Sequence, residues 1–184
     1  MTVQSPLMEA GDQEPGQPRV VVGIDGSAGA RAALLFALAD AVRRGLPVEA
    51  VSAYEPPDYW LDFYAMGISG PDQARAAAVD RVRDFVAGVL PDGPQPPPPV
   101  SVRVHRGSPA EALVRASRGA ELLVVGSRGH GGFTSMLLGS VSMQCVLHAV
   151  CPVTVVHSPE AHRQRLHLRR GRRAGTGQVA LPVA

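Results

Sequence analysis

Apolar residues along this chain follow two rhythms. Short unbroken runs rich in β-branched residues recur, and between them lie longer stretches whose apolar positions return every three or four residues. Residues 19–24 form the first run, and its continuity predicts a strand buried on both faces of a parallel sheet. Ser27 is placed to cap a helix over 28–44, with Leu34, Leu35, Leu38 and Val42 as its apolar stripe and Gly45 at its end. A second strand is expected over 48–54 and is stopped by Glu55-Pro56-Pro57. From Pro71 to Leu90 a second helix is signalled by Ala74, Ala78, Val82, Phe85, Val86 and Val89.

A proline-rich connector over 93–99 leads to an alternating third strand at 100–105. Ser108-Pro109-Ala110-Glu111 then reads as a capping box with proline at the first helical position, opening a helix over 109–118. Residues 121–125 give a fourth strand, 140–149 a helix, and Val153 to His157 a fifth strand after Pro152 breaks the helical register. Strictly alternating strands and helices predict an α/β fold: an open five-stranded parallel sheet, Rossmann-like, with helices on both faces. Ligands of such sheets sit beyond the strands' carboxyl ends, where strand order reverses. The loops after the first and fourth strands are both rich in Gly, Asp and Ser, so those two strands should be neighbours if the loops share a ligand.

The second of those loops is the most informative stretch. Between Val124 and Ser142 the chain reads V-V-G-S-R-G-H-G-G-F-T-S-M-L-L-G-S-V-S. Glycines at 126, 129, 131 and 132 let several backbone N–H groups converge on one concavity, and Gly139-Ser140 opens a helix whose first amides favour an anion. An ordinary surface loop is the plainer alternative, and the bracketing by a strand and a helix start favours phosphate chemistry.

The spacing G-x2-G-x9-G-[ST], on Gly126, Gly129, Gly139 and Ser140, resembles the nucleotide-binding signature of the universal stress protein (UspA-type) family, in its single-domain, ATP-binding branch. The segments V-V-V-G-I-D-G-S at 20–27, A-Y-E-P-P at 53–57, G-S-P-A-E-A-L at 107–113 and H-A-V-C-P-V-T-V-V at 148–156 follow the family's order. The resemblance covers roughly 19–158. It implies the strand order 3-2-1-4-5, stress-response function and ATP as ligand, with Mg2+ near Asp25. It also implies base contacts from the backbone of Ala53, with Gly23 small where the base approaches, and Val125 and Gly126 beside the ribose. Gly129, His130, Gly131 and Gly132 would wrap the phosphates, Ser127 and Arg128 are counted with the same site, and Gly139, Ser140, Val141 and Ser142 would donate from the helix start.

Single residues carry competing readings. Asp25 is either a ligand contact, to ribose, base edge or Mg2+, or an Asx-turn feeding the cap at Ser27. Arg128 can fork onto a phosphate oxygen or stay solvated. His130 lacks a nearby carboxylate or nucleophile in sequence to orient it as a general acid, so no catalytic residue is assigned. The other histidines have no metal-ligand spacing, and no side-chain metal cluster is expected. Cys145 and Cys151 stand in neither C-x-x-C nor zinc spacing, and buried thiols are the simpler reading beside a redox switch.

Composition narrows the classes. All eighteen basic residues are arginine, so no Walker A lysine and no Schiff-base lysine exists. The first strand is followed by G-I-D-G-S, not by the S-G-G-x-D-S of enzymes that split ATP to AMP and pyrophosphate, which leaves at most slow hydrolysis. Residues 1–18 hold three acids and no base, 19–158 twelve of each, and 159–184 six arginines against Glu160. The first segment and the arginine-rich tail are expected to be disordered, flanking one domain. The tail lacks interleaved aromatics, which argues against nucleic acid. A cluster of Trp60, Tyr59, Tyr64 and Phe63 reads as a loop over the core edge, or as a lid or partner-facing patch. No apolar run is long enough for a membrane span, and the first residues lack a basic-then-apolar export pattern, so a cytoplasmic setting is expected. The apolar last strand, Val153 to His157, is expected at a sheet edge, where a second copy would pair to give a homodimer. A regulatory protein partner is implied but not named by the sequence, and an interaction scaffold with incidental nucleotide binding is the competing function.

Overall fold

A computed structural model describes residues 7–8, 17–55, 71–129 and 138–158 of the 184-residue chain. The aromatic cluster, the loop tip with His130, Gly131 and Gly132, the arginine-rich tail and most of the first segment lie outside the described residues. Strands are β1 (Leu7–Met8), β2 (Val20–Gly23), β3 (Val48–Tyr54), β4 (Val100–Arg106), β5 (Leu122–Gly126) and β6 (Val153–Val156). Helices are α1 (Ala28–Arg44), α2 (Pro71–Val89), α3 (Pro109–Ala116) and α4 (Ser140–His148). Every strand pair is parallel, in the order β1-β4-β3-β2-β5-β6.

The expected order 3-2-1-4-5 is thus present as β4-β3-β2-β5-β6. One correction is needed: a sixth strand joins the β4 edge, with Leu7 opposite Val100 and Met8 opposite Ser101. Expected disorder gives way at those two residues because an open edge offers backbone partners whatever the composition of the incoming segment.

Strand alternation sorts the core into two layers. Val20, Val22, Val48 and Ala50 face α1 and α2, packing with Leu34, Leu38, Val82 and Val86. Val21, Val51, Leu123 and Val125 face α3 and α4, packing with Leu113 and Cys145. Val42, expected on the inner stripe of α1, is 47% exposed, and Ala41 is the fully buried residue there. A small side chain at 41 lets the helix lie close on the sheet.

The caps read from sequence are formed. Ser27 Oγ accepts the Ala30 N–H at 3.1 Å, and Gly45 closes α1 with φ 67°, a left-handed conformation that favours glycine. Toward the amino end of the sheet, Glu49 is 1% exposed and ion-paired on both sides, to Arg19 and, at 2.7 Å, to Arg103. Arg19 also donates to the Ala116 carbonyl at 3.1 Å, so this buried carboxylate ties β2, β3, β4 and the end of α3 together. Among the described residues, no helix is long and apolar enough to cross a membrane.

Candidate functional site

β2 and β5 are neighbours, and the chain leaves them toward opposite faces, through α1 and α4 respectively. Their carboxyl ends border a cavity of about 420 Å3, within the size range of small-molecule sites. β2 ends at Gly23, opposite Val51, whereas β3 runs three residues further to Tyr54. Val51 still accepts the Ile24 N–H through its carbonyl at 2.8 Å. Strand alternation puts the N–H and C=O of Ala53 on that same side, where β2 has already turned away. Ala53 accordingly offers an extended backbone edge to the cavity.

Three of the helices, α1, α3 and α4, begin beside this cavity. Those starting at α1 and α3 are served by their own serines: Ser27 for Ala30, and Ser108 for the Glu111 N–H at 3.5 Å. The third, α4, begins at Gly139 with φ −70° and ψ 161° and has no side-chain cap. Its first-turn amides, on Ser140, Val141 and Ser142, lack intrahelical acceptors by helix geometry, and these residues line the cavity. A positive helix end therefore meets the hollow.

The loop after β5 is fixed from two sides. Ser127 donates its N–H to the Val156 carbonyl at 2.7 Å and accepts the Gly139 N–H at 2.8 Å, while Ser142 Oγ donates to the Gly126 carbonyl at 2.6 Å. On the other side lies the start of α1. A Cβ on Gly126 would come within 2.7 Å of the Gly29 carbonyl carbon, and one on Gly29 would overlap the Arg128 carbonyl oxygen. Two glycines far apart in sequence let a helix and a loop touch backbone to backbone. Asp25 adds a third restraint: its Oδ1 accepts the Ser27 N–H at 3.0 Å, and a Cβ on Gly129 would overlap its Oδ2. The Asx-turn reading of Asp25 is therefore realised, and the carboxylate also sits against the glycine loop.

Of the sequence-derived candidates, Gly23, Asp25, Ala53, Val125, Gly126, Arg128, Gly129, Gly139, Ser140, Val141 and Ser142 line one cavity. Ser127 is 3% exposed and acts through its backbone as a strut. His130, Gly131 and Gly132 lie outside the described residues. At Gly23 a Cβ would meet Leu113 Cδ1 at 3.1 Å, so the glycine makes room for that leucine. Leu113, Val51, Ile24 and Leu138 are wall residues that sequence reasoning missed, because apolar core positions give no sign that one side of them is open. Gly29 was also missed, although the run D-G-S-A-G carries it.

Electrostatics add one buried donor. Arg128 Nε is buried and has no hydrogen-bond acceptor among the described residues, although Arg128 lines the cavity. His105, opposite Ala53 in the β3–β4 register, has its pKa lowered by burial and by Arg115, Arg103 and Arg75, against an opposing pull from Glu49. Burial pushes the Cys145 thiol up to about 11 and raises that of Cys151 too, which suits packing more than redox chemistry. No group of three or more His, Cys, Asp or Glu side chains able to hold a metal occurs among the described residues.

Comparison with known proteins settles the lineage. The profile of the universal stress protein family matches residues 18–157. This chain belongs to the universal stress protein family. Its curated relatives include universal stress protein Rv2624c of Mycobacterium tuberculosis, 33% identical over 149 residues, which cover 81% of this chain and 52% of that protein. Universal stress protein Rv2005c of the same organism is 40% identical over 146 residues, covering 77% and 46%. The chain thus spans about half the length of the curated relatives it matches. Among solved folds, a universal stress protein in complex with cAMP is 24% identical with a TM-score of 0.54, over 77% of this chain and 97% of that one. UspA from Lactobacillus plantarum superposes at TM-score 0.55 with 21% identity, over 78% and 99%. These structural likenesses establish the universal stress protein fold.

Proposed function

We propose that this universal stress protein binds an adenine nucleotide, ATP with Mg2+, at the carboxyl end of its sheet, and that occupancy serves as a regulatory signal. One observation carries the reading: an uncapped helix start at Gly139 faces the Ala53 backbone edge across a single cavity. The first suits a phosphate chain and the second suits the donor and acceptor pattern of a base. Fit is further supported by the buried Arg128 Nε, which has no acceptor among the described residues and calls for one. Asp25, which lines the cavity, would be the residue to hold Mg2+ against the phosphates. The solved relative in complex with cAMP suggests which ligand class to test first.

Titration of the folded chain with ATP-Mg2+, ADP, AMP and cAMP, read by thermal shift, tests the proposal. Ligand at one hundred times its dissociation constant should add ~2.7 kcal/mol to the native state. No shift with any of the four would sink it. Phosphate release at steady state then separates a binder from a slow hydrolase, and a binder is expected.

A scaffold role has its own support. β6 lies at the sheet edge, opposite in the order to β1, and its four residues are only half-buried. We propose that a second copy pairs there to give a homodimer. Light scattering that found only monomer at micromolar concentration would remove that claim.

A further inference from the structure

Arg128 is singular among the groups around the cavity. Among the described residues it is the only arginine that lines it, and the chain has no lysine to share the work. Its backbone stands beside the start of α4: a Cβ built on Gly139 would lie 3.6 Å from Arg128 Cα. Its carbonyl is pressed against Gly29, so the main chain at this residue is held in place while Nε is buried without an acceptor among the described residues. A buried guanidinium N–H left unpaired is costly, and an anionic oxygen would satisfy it with a charge-assisted hydrogen bond. Among the described residues the other donors at this end of the cavity are neutral, the first-turn backbone amides of α4 and its serine hydroxyls. They orient an anion but differ little in response to its total charge.

We propose that Arg128 reads the charge of the bound phosphate chain and so sets the preference for triphosphate over monophosphate or free nucleoside. This rests on the nucleotide reading given above and adds to it the residue that grades the ligands. Arg128 is then a specificity residue, since the base is engaged at the far end, by Ala53. Because its Nε has no acceptor among the described residues, replacing it should not weaken the free protein.

The test is equilibrium binding of adenosine, AMP, ADP and ATP at fixed ionic strength to the wild type, Arg128→Met and Arg128→Lys, with the melting temperature of each free protein measured alongside. Wild-type affinity should climb from adenosine to ATP. In Arg128→Met, ATP affinity should fall by roughly tenfold or more while adenosine affinity holds, flattening the series. Arg128→Lys should recover part of the gradient, since charge returns without the planar fork. The free Arg128→Met protein should melt no lower than wild type. Equal losses for adenosine and ATP, a lowered melting temperature, or an unchanged gradient would each overturn the assignment of Arg128 while leaving nucleotide binding standing. A folded wild type that binds none of the four overturns the nucleotide reading, and this inference falls with it.

Discussion

The starts of α1 and α4 are built from similar materials and finished differently. Each follows a sheet strand, α1 after Asp25-Gly26-Ser27 and α4 after Gly139 with Ser140 as its first helical residue, and each opens at the same end of the molecule. At α1 the orphan amides are met from within, by Ser27 Oγ on Ala30 and by Asp25 on Ser27. At α4 a glycine occupies the capping position and the first turn faces the cavity. A capped end is closed to an anion and an uncapped one is open to it. This contrast separates the scaffold from the site more sharply than glycine content does, since both loops are glycine-rich.

The contrast can be broken most violently where the two starts touch. Gly126→Ala drives a Cβ into the backbone of Gly29 on α1, where neither side can swing away as a side chain would. A destabilisation of about 1–3 kcal/mol or more is expected, and melting should drop by roughly 2–4 °C for each kcal/mol. A melting point equal to wild type would show that the helix and the loop are not in backbone contact.

Next in size is a substitution that gives α4 the finish of α1. Gly139→Asp should supply its own cap, leave the free protein as stable or more so by a few tenths to about 1 kcal/mol, and repel the phosphate chain. Space permits it, the nearest atom to a Cβ there being 3.6 Å away. The ATP-induced stabilisation of ~2.7 kcal/mol at saturation should largely vanish. Retained thermal shift in this variant would move the anion elsewhere.

The reciprocal change has a smaller effect. Ser27→Ala removes the α1 cap at a cost of about 1 kcal/mol, read as a lower denaturant midpoint, with nucleotide affinity nearly unchanged. A large affinity loss instead would show that Ser27 belongs to the site.

The smallest expected effect is on pH dependence. His105 has a folded pKa below its ordinary 6.5, so between the two values the unfolded chain holds more protons than the native one. Stability should therefore rise with pH through that window and be lost as pH falls below 6.5. His105→Gln should flatten the slope in melting scans just below pH 6.5, and an unaltered slope would assign the effect to another group.

Much of this architecture was legible in the chain because its cues are local. Ser27, Ser108 and Gly45 act within one turn of where they stand, so side-chain chemistry and position suffice to read them. The apolar runs at β2 and β5 are buried on both faces, which only a parallel sheet requires. What stayed hidden depends on pairs that the fold alone brings together. Gly29 meets Gly126, Asp25 meets the Cα side of Gly129, and Arg19 and Arg103 meet Glu49, each across a strand order that no local pattern encodes. Leu7–Met8 was missed for a related reason: two residues carry no period, and their strand exists only by register against β4. At the site, the glycines were visible, and the fold adds protein contacts that the sequence did not show. Gly126 and Gly129 make room for protein atoms, while Gly139 leaves a helix end bare.

The overshoot of β3 past β2 has an evolutionary corollary. A base recognised, as proposed, through the main chain of Ala53 would leave no letter in the sequence to be selected, and the side chain there would answer only to its packing against the core. Comparative surveys of such chains would then detect the phosphate end by its glycines while the half that distinguishes one base from another passes silently through the alphabet.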